Sequence, residues 1–253
     1  MRFLSVLLGV LVLLIDVASL DPICCTQDQW EGILLVDEGM VFIDAVPRGD
    51  INLPGGGRTR PETAWAVINT TADVSYDYTN KRTKLVLTAV TQSPLIPRPG
   101  KQTVTYINDY VKHVSYQIDD SDGCQKSQID NMTKQCVPGD ALFEGSATLG
   151  AKGAALPVDI YSYVMPGLNF QTRATVSKSK SQCIPISMQL VAGGVEADSG
   201  TIWNVEAHNI TAGIKDPSVF EVPAKCNHVK QIPKRMVRNN LHGTLQKLHH
   251  IFK

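Results

Sequence analysis

Three sets of side chains in this chain have the types and spacing to do chemistry. The first is the acidic run Asp119-Asp120-Ser121-Asp122-Gly123. It gathers the carboxylates of Asp119, Asp120 and Asp122 into one turn, and hard cations such as calcium want oxygens of that kind. The run is not an EF-hand loop, because Ile118 stands where its first Asp belongs and Ile129 where its closing Glu belongs. It reads either as a calcium site or as a solvated turn. The second set is six cysteines, Cys24, Cys25, Cys124, Cys136, Cys183 and Cys226. They show neither CxxC pairs nor zinc spacing. The third is three Asn-X-Thr sequons, at Asn69, Asn131 and Asn209. Each is a glycan acceptor on a secretory route.

Catalytic signatures are missing. The chain contains no GxSxG elbow, HExxH helix or dinucleotide fingerprint. Gly145 to Lys152 approaches a phosphate loop, but Ala151 intrudes between Gly150 and Lys152 and no Ser or Thr follows. His113 and His208 fall in strand patterns without an evident catalytic partner. The reading is a binding protein that is not an enzyme and has no organic cofactor. Nucleic acid is not an expected partner either, since the formal net charge is +0 and the basic residues gather at the C-terminal end.

The beginning of the chain sets the compartment. Arg2, an apolar run from Phe3 to Ile15 and the small residues Val17-Ala18-Ser19 read as a signal peptide over 1–19. The run is too short to span a bilayer, which takes about 20 residues. An even cysteine count behind such a segment reads as a disulfide framework, with Cys24 and Cys25 tied to distant places rather than to each other. The expected location is extracellular or lysosomal.

The elements that must position these groups are strands. Val74, Tyr76 and Tyr78 alternate with polar residues, as do Leu85, Leu87 and Ala89, and Val114, Tyr116 and Ile118. Ile186, Met188 and Leu190 repeat the pattern, followed by Trp203, Val205 and Ala207. Period two places each set on one face of a sheet. Gly- and Pro-rich punctuation at 54–57, 94–100, 119–123 and 193–194 supplies turns. The expected class is mainly β, two stacked antiparallel sheets or a barrel. Asn209 shares parity with Trp203 and Val205, so a glycan there requires a bulge near Ala207 or an unburied face. Asp216 and Pro217 open a single helical turn. After Glu221 no acidic residue occurs, and Val237, Leu241, Leu245, Leu248 and Phe252 recur at helical spacing. The segment 227–253 therefore reads as a basic tail, either an amphipathic helix or a solvated extension.

Several of these features fall together in one pattern. Ala212-Gly213-Ile214-Lys215-Asp216-Pro217-Ser218-Val219-Phe220 is followed by Pro223 and Cys226. Gln29-Trp30-Glu31-Gly32 follows the paired cysteines. Ile129-Asp130 precedes Thr133-Lys134-Gln135-Cys136, Cys183-Ile184-Pro185 opens a strand, and Tyr76-Asp77 precedes Lys81-Arg82. In these residues the chain resembles the ependymin-related proteins over nearly all of 20–226. The resemblance implies two stacked, strongly curved antiparallel sheets with small helices, a half-barrel like that of bacterial lipoprotein carriers. It also implies an apolar pocket, a homodimer, glycans and calcium. It pairs Cys136 with Cys226, one of Cys24 or Cys25 with Cys183, and the remaining N-terminal cysteine with Cys124.

A curved apolar face suits a hydrophobic ligand, because each buried methylene contributes about 0.8 kcal/mol without a dedicated polar group. The candidate wall residues are Trp30, Leu34, Leu85, Leu87, Val114, Tyr116, Phe170, Met188, Trp203 and Val205. The expected partner is a lipid or fatty-acid-like molecule. The alternative is a calcium-dependent adhesive glycoprotein of the extracellular matrix or a membrane surface, with no small-molecule ligand.

Overall fold

The structure is a computed structural model that describes residues 21–42, 64–93, 96–119, 123–151, 153–165, 170–179, 182–193, 199–229 and 231–232. The signal segment lies outside the described residues, and so does the tail from 233 onward. The described strands in chain order are β1 (Cys24–Cys25), β2 (Gln29–Phe42), β3 (Ala64–Asp77), β4 (Arg82–Ser93), β5 (Ile96–Asp109), β6 (Val114–Asp119) and β7 (Gly123–Gln128). Then come β8 (Cys136–Val137), β9 (Leu142–Leu149), β10 (Leu156–Met165), β11 (Phe170–Ser179), β12 (Gln182–Gly193), β13 (Ser199–Ala212) and β14 (Gln231–Ile232). Two short 3-10 turns, Pro217–Phe220 and Ala224–Cys226, interrupt the segment after β13.

The strands form one continuous sheet in the order β14-β7-β6-β5-β4-β3-β2-β13-β12-β11-β10-β9, with β1 bridging β12 and β8. It is built from two meanders, β2 to β7 and β9 to β13, joined where β2 pairs antiparallel with β13. The two expected layers are thus halves of a single open sheet. Alternation sets which face turns inward. Along β4, Thr83, Leu85, Leu87 and Ala89 are buried while their neighbours are only partly covered. Cross-strand register carries that face across the sheet. Leu85 lies opposite Val74 and Tyr106, Leu87 opposite Ala72 and Val104, and Leu34 opposite Ala72 and Ala207. One cluster of buried residues then runs from Tyr106 on β5 through Trp30, Leu34 and Val36 on β2 to Leu190 on β12 and Phe170 on β11. An inner face of this width stays dry only if the sheet bends over it.

Asn209 resolves its parity conflict through a bulge. The register of β13 against β2 shifts between His208 and Thr211, so Asn209 and Ile210 together oppose Gly32. Asn209 takes the left-handed conformation, φ 53°, which asparagine tolerates better than most residues, and its side chain is exposed. Gly32 opposite gives the bulge room: a Cβ there would displace the Ile210 Cδ1 methyl and lie 3.2 Å from the His208 carbonyl oxygen. Asn69 and Asn131 are exposed as well.

The disulfides are Cys24–Cys183, Cys25–Cys136 and Cys124–Cys226. The pairing with Cys183 agrees with expectation and selects Cys24. The expected Cys136–Cys226 and Cys25–Cys124 bonds are corrected. β1 pairs antiparallel with β8, which sets Cys25 directly opposite Cys136. The turn Ala224–Cys226 lies against β7, which carries Cys124.

Candidate functional site

Eight of the ten candidate wall residues belong to one inner-face cluster. Trp30, Leu34, Leu85, Leu87, Phe170, Trp203 and Val205 are buried members, and Met188 packs against them half-buried. Val114 and Tyr116 do not join them. Tyr106 lies opposite Gln117 and Val104 opposite Asp119, so the inner positions of β6 are Ser115, Gln117 and Asp119. Val114 and Tyr116 therefore face outward, on the side where Cys124 holds Cys226 and the Lys126 ammonium sits 5.6 Å from the Tyr116 ring. The alternation of β6 is real, but its apolar side is used to seat the C-terminal segment.

The inner face is aromatic and carries a few polar atoms. Trp30 stacks on Tyr76 with ring centroids 5.6 Å apart, and Tyr76 stacks on Tyr78 at 6.5 Å. Phe170 and Trp203 meet at 4.9 Å with planes tilted by 56°. The Tyr76 hydroxyl accepts a hydrogen bond from the Gln135 backbone N–H at 3.3 Å. Burial raises the Tyr76 pKa above its ordinary value although that bond opposes the shift. Tyr106 is raised by burial and then by the nearby Asp119 charge. Tyr110, against Thr83 and Asn108, is pushed up to about 12 by burial. The indole Nε1–H of Trp30 is buried without a hydrogen-bond partner among the described residues. Such an orphan donor in an apolar setting costs about 1–3 kcal/mol, and a native chain keeps few of them.

Of the acidic run, Asp119 and Gly123 are among the described residues. Asp119 is buried on the inner face, where its carboxylate accepts from Gln102 Nε2 at 2.9 Å. Asp120 and Asp122 lie outside the described residues. No cluster of three or more metal-ligating side chains occurs among the described residues.

Two hollows among the described residues lie away from the inner-face cluster. One of about 290 Å³ lies along the outer strands β9 and β10, between Ser146, Pro157, Asp159 and Lys178. The other, about 490 Å³, is polar, with Thr26, Gln27, Asp28, Gln29, Lys134 and Gln182 on its walls. Sequence reasoning missed two features at this end. One is a carboxylate hub. Asp77 is fully buried on the outer face and accepts from Gln29 Nε2 at 2.9 Å, the Asn80 N–H at 3.0 Å, Asn80 Nδ2 at 2.8 Å and Arg82 Nε at 2.8 Å. The Arg82 guanidinium lies 4.2 Å from the Phe220 ring centroid, which seats the turn begun by Asp216 and Pro217. The other is the segment 129–135, described below. The Tyr76-Asp77 and Lys81-Arg82 pairs were the available signal for the hub.

The ependymin family model matches residues 98–226. The chain belongs to the ependymin family. Ependymin-related protein 1 of Haliotis asinina is 30% identical over 132 residues, 49% of this chain and 65% of that relative. Ependymin-related protein 2 of the same organism is 29% identical over 49% of this chain and 64% of its own length. The chain thus spans just under two thirds of these relatives. Mammalian ependymin-related protein 1 of Mus musculus is 26% identical over 170 residues, 66% of this chain and 70% of that protein. An uncharacterized conserved protein from Thermus thermophilus aligns structurally with 7% identity and a TM-score of 0.41 over 79% of this chain and 90% of that one. That likeness is too slight to support an inference. The ependymin match includes the strap 129–135 and the Ala212–Phe220 motif, while the Gln29–Gly32 and Tyr76–Arg82 motifs precede it.

Proposed function

We propose that this ependymin-family protein is an exported, N-glycosylated binder of an amphipathic, fatty-acid-like molecule, held against the inner face of the sheet. The observation that carries the reading is the buried, partnerless Trp30 Nε1–H within a broad apolar and aromatic face. A hydrocarbon tail satisfies that face through burial alone, and a polar group of the same molecule gives the indole its acceptor. Native mass spectrometry of protein purified without detergent tests this, together with uptake of the fluorescent fatty acid cis-parinaric acid. A bound lipid, or saturable uptake that weakens in Trp30→Phe, supports the reading. A protein free of lipid that takes up no probe refutes it.

The adhesive reading has an observation of its own on the opposite face. Val67, Gly39, Ile202, Val191, Gln171 and Val164 stand in one register row across six strands, and Ile202, Val191 and Val164 are exposed. Val41 and Trp65, a paired and exposed couple, adjoin the row. If this row makes the protein adhesive, Trp65→Ser with Ile202→Ser abolishes self-association or surface binding and leaves probe uptake intact.

A further inference from the structure

Between β7 and β8 the chain leaves the sheet for seven residues, Ile129 to Gln135, without regular structure. Two of them turn inward. Ile129 and Met132 are 6% and 7% exposed and join the inner-face cluster with Trp30, Tyr76 and Tyr110. Asp130, Asn131 and Thr133 between and after them are exposed. The segment is therefore a strap whose apolar side closes the inner face at the end marked by Trp30 and Tyr76.

Its fastenings sit at its two ends. The Ile129 N–H donates to the His113 carbonyl at 3.2 Å. At the other end the Gln135 N–H donates to the Tyr76 hydroxyl at 3.3 Å, and the Gln135 carbonyl accepts from the Thr26 N–H at 2.9 Å. Lys134 Nζ pairs with Asp28 Oδ1 at 2.5 Å, with both side chains partly in solvent. Residues 131–133 make no backbone–backbone hydrogen bond among the described residues. Beyond each end a disulfide fixes the flank, Cys124–Cys226 before the strap and Cys25–Cys136 after it. A short span with two welded ends, a few end fastenings and a removable apolar plug opens at lower cost than the strands beside it. The Asn131 sequon lies on the solvent side, so a glycan there does not block the movement.

We infer that the strap Ile129–Gln135 is the gate of the inner face, with Met132 as its plug and the Lys134–Asp28 pair as its latch. The inference rests on the proposed ligand reading, which supplies what passes through. Opening lifts Met132 away from the Trp30–Tyr76 stack and gives an apolar tail a route to the cluster. The polar hollow around Thr26, Gln29 and Lys134 lies at the latch end, on the route by which a polar head would pass.

Hydrogen exchange on the full glycosylated chain, followed by mass spectrometry, gives the first test. Amides of 131–134 exchange at least about tenfold faster than those of β4, and bound cis-parinaric acid slows them. The second test is stopped-flow uptake of the same probe by wild type and by Asp28→Asn. Loss of an exposed ion pair raises the open population, and with it the uptake rate, about two- to fivefold. Strap amides as protected as those of β4 overturn the gate, as do equal uptake rates in the two proteins. If the strap exchanges fast, and faster in Asp28→Asn, but neither protein takes up the probe, the strap is mobile and the ligand reading is what fails.

Discussion

Replacing Asp77 with Asn tests whether the buried carboxylate hub holds the β3–β4 hairpin to β2 and to the C-terminal segment. The carboxylate is inaccessible to solvent and accepts four hydrogen bonds, one from the Arg82 guanidinium. Asparagine keeps the shape but has one acceptor oxygen, and its amide nitrogen then faces the donors of Asn80 and Arg82 or of Gln29. Hydrogen bonds to a charged group contribute about 1.5–3 kcal/mol, and leaving one partner of a buried ion pair behind costs about 3–5 kcal/mol. Arg82 retains 30% side-chain exposure and can recover water, which places the expected loss near the lower bound, about 2–3 kcal/mol. For a chain of this size that lowers Tm by roughly 4–12 °C. The pH dependence is a second readout. Burial acts to raise the Asp77 pKa, but the hydrogen bonds from Asn80, Gln29 and Arg82 outweigh it and hold the carboxyl below its ordinary value. A depressed folded-state pKa gives stability that is complete above the unfolded value, about 3.9, and is lost as pH falls through the folded value. The gap between wild type and Asp77→Asn, measured by circular dichroism melts from pH 7 to pH 2.5, should therefore be constant above about pH 5 and narrow below about pH 4. A gap under about 0.5 kcal/mol at pH 7, or one that widens on acidification, refutes the reasoning.

Four further outcomes follow from the same geometry. Gly32→Ala forces a Cβ into Ile210 at the β13 bulge and should cost about 1–3 kcal/mol in chemical denaturation, with part recovered by adding Ile210→Ala. Non-reducing peptide mapping should find Cys25 linked to Cys136, and Cys124→Ser with Cys226→Ser should cost about 4–5 kcal/mol in the chain-entropy account of a closed loop with sequence separation 102. Trp30→Phe removes the orphan donor, a gain of about 1–3 kcal/mol, but loses buried volume at a cost of similar size, so apo stability should change little while fatty-acid affinity falls about two- to tenfold. Tyr110 should stay protonated in the folded protein until about pH 12; because its pKa is raised on folding, its stabilisation is full below about pH 10 and declines above that, which ultraviolet difference titration reads directly.

The alternation of β4 and β13 was enough to place Leu85, Leu87, Trp203 and Val205 on one face, because period two survives wherever one side of a strand is buried. The same rule failed at β6, where two apolar sets compete. Only the register of Tyr106 against Gln117 shows that Val114 and Tyr116 point away from the core. The bulge at Asn209 was legible as a conflict between a sequon and strand parity, and Gly32 on the facing strand settles it. The partners of Cys124, Cys136 and Cys226 were not legible. Cys25 meets Cys136 because a two-residue strand happens to pair with another, a contact with no sequence period at all. At the acidic run, composition shows that three carboxylates are adjacent, and only the register of Asp119 against Val104 shows that the first of them is turned inward.

The segments by which this chain resembles its family gather at one end of the strands. Trp30 pairs with Tyr76 and Ala212, Asp77 pairs with Gln29 and Arg82, and Cys183 bonds Cys24 beside Gln135. These residues stitch β1, β2, β3, β4 and β13 to the C-terminal turn and to the strap, so they specify a frame. The connections β2–β3, β4–β5, β10–β11 and β12–β13 all leave from the opposite end, near Phe42, Ser93, Met165 and Gly193. A sheet welded at one end can change its other end without losing register, since hydrogen-bond pairing propagates from the fixed turns. Family membership therefore accounts for how the inner face is built and closed. Nearer the unstitched end the inner face carries Glu38, Thr70, Trp203 and Phe170, where polar and aromatic groups are buried together.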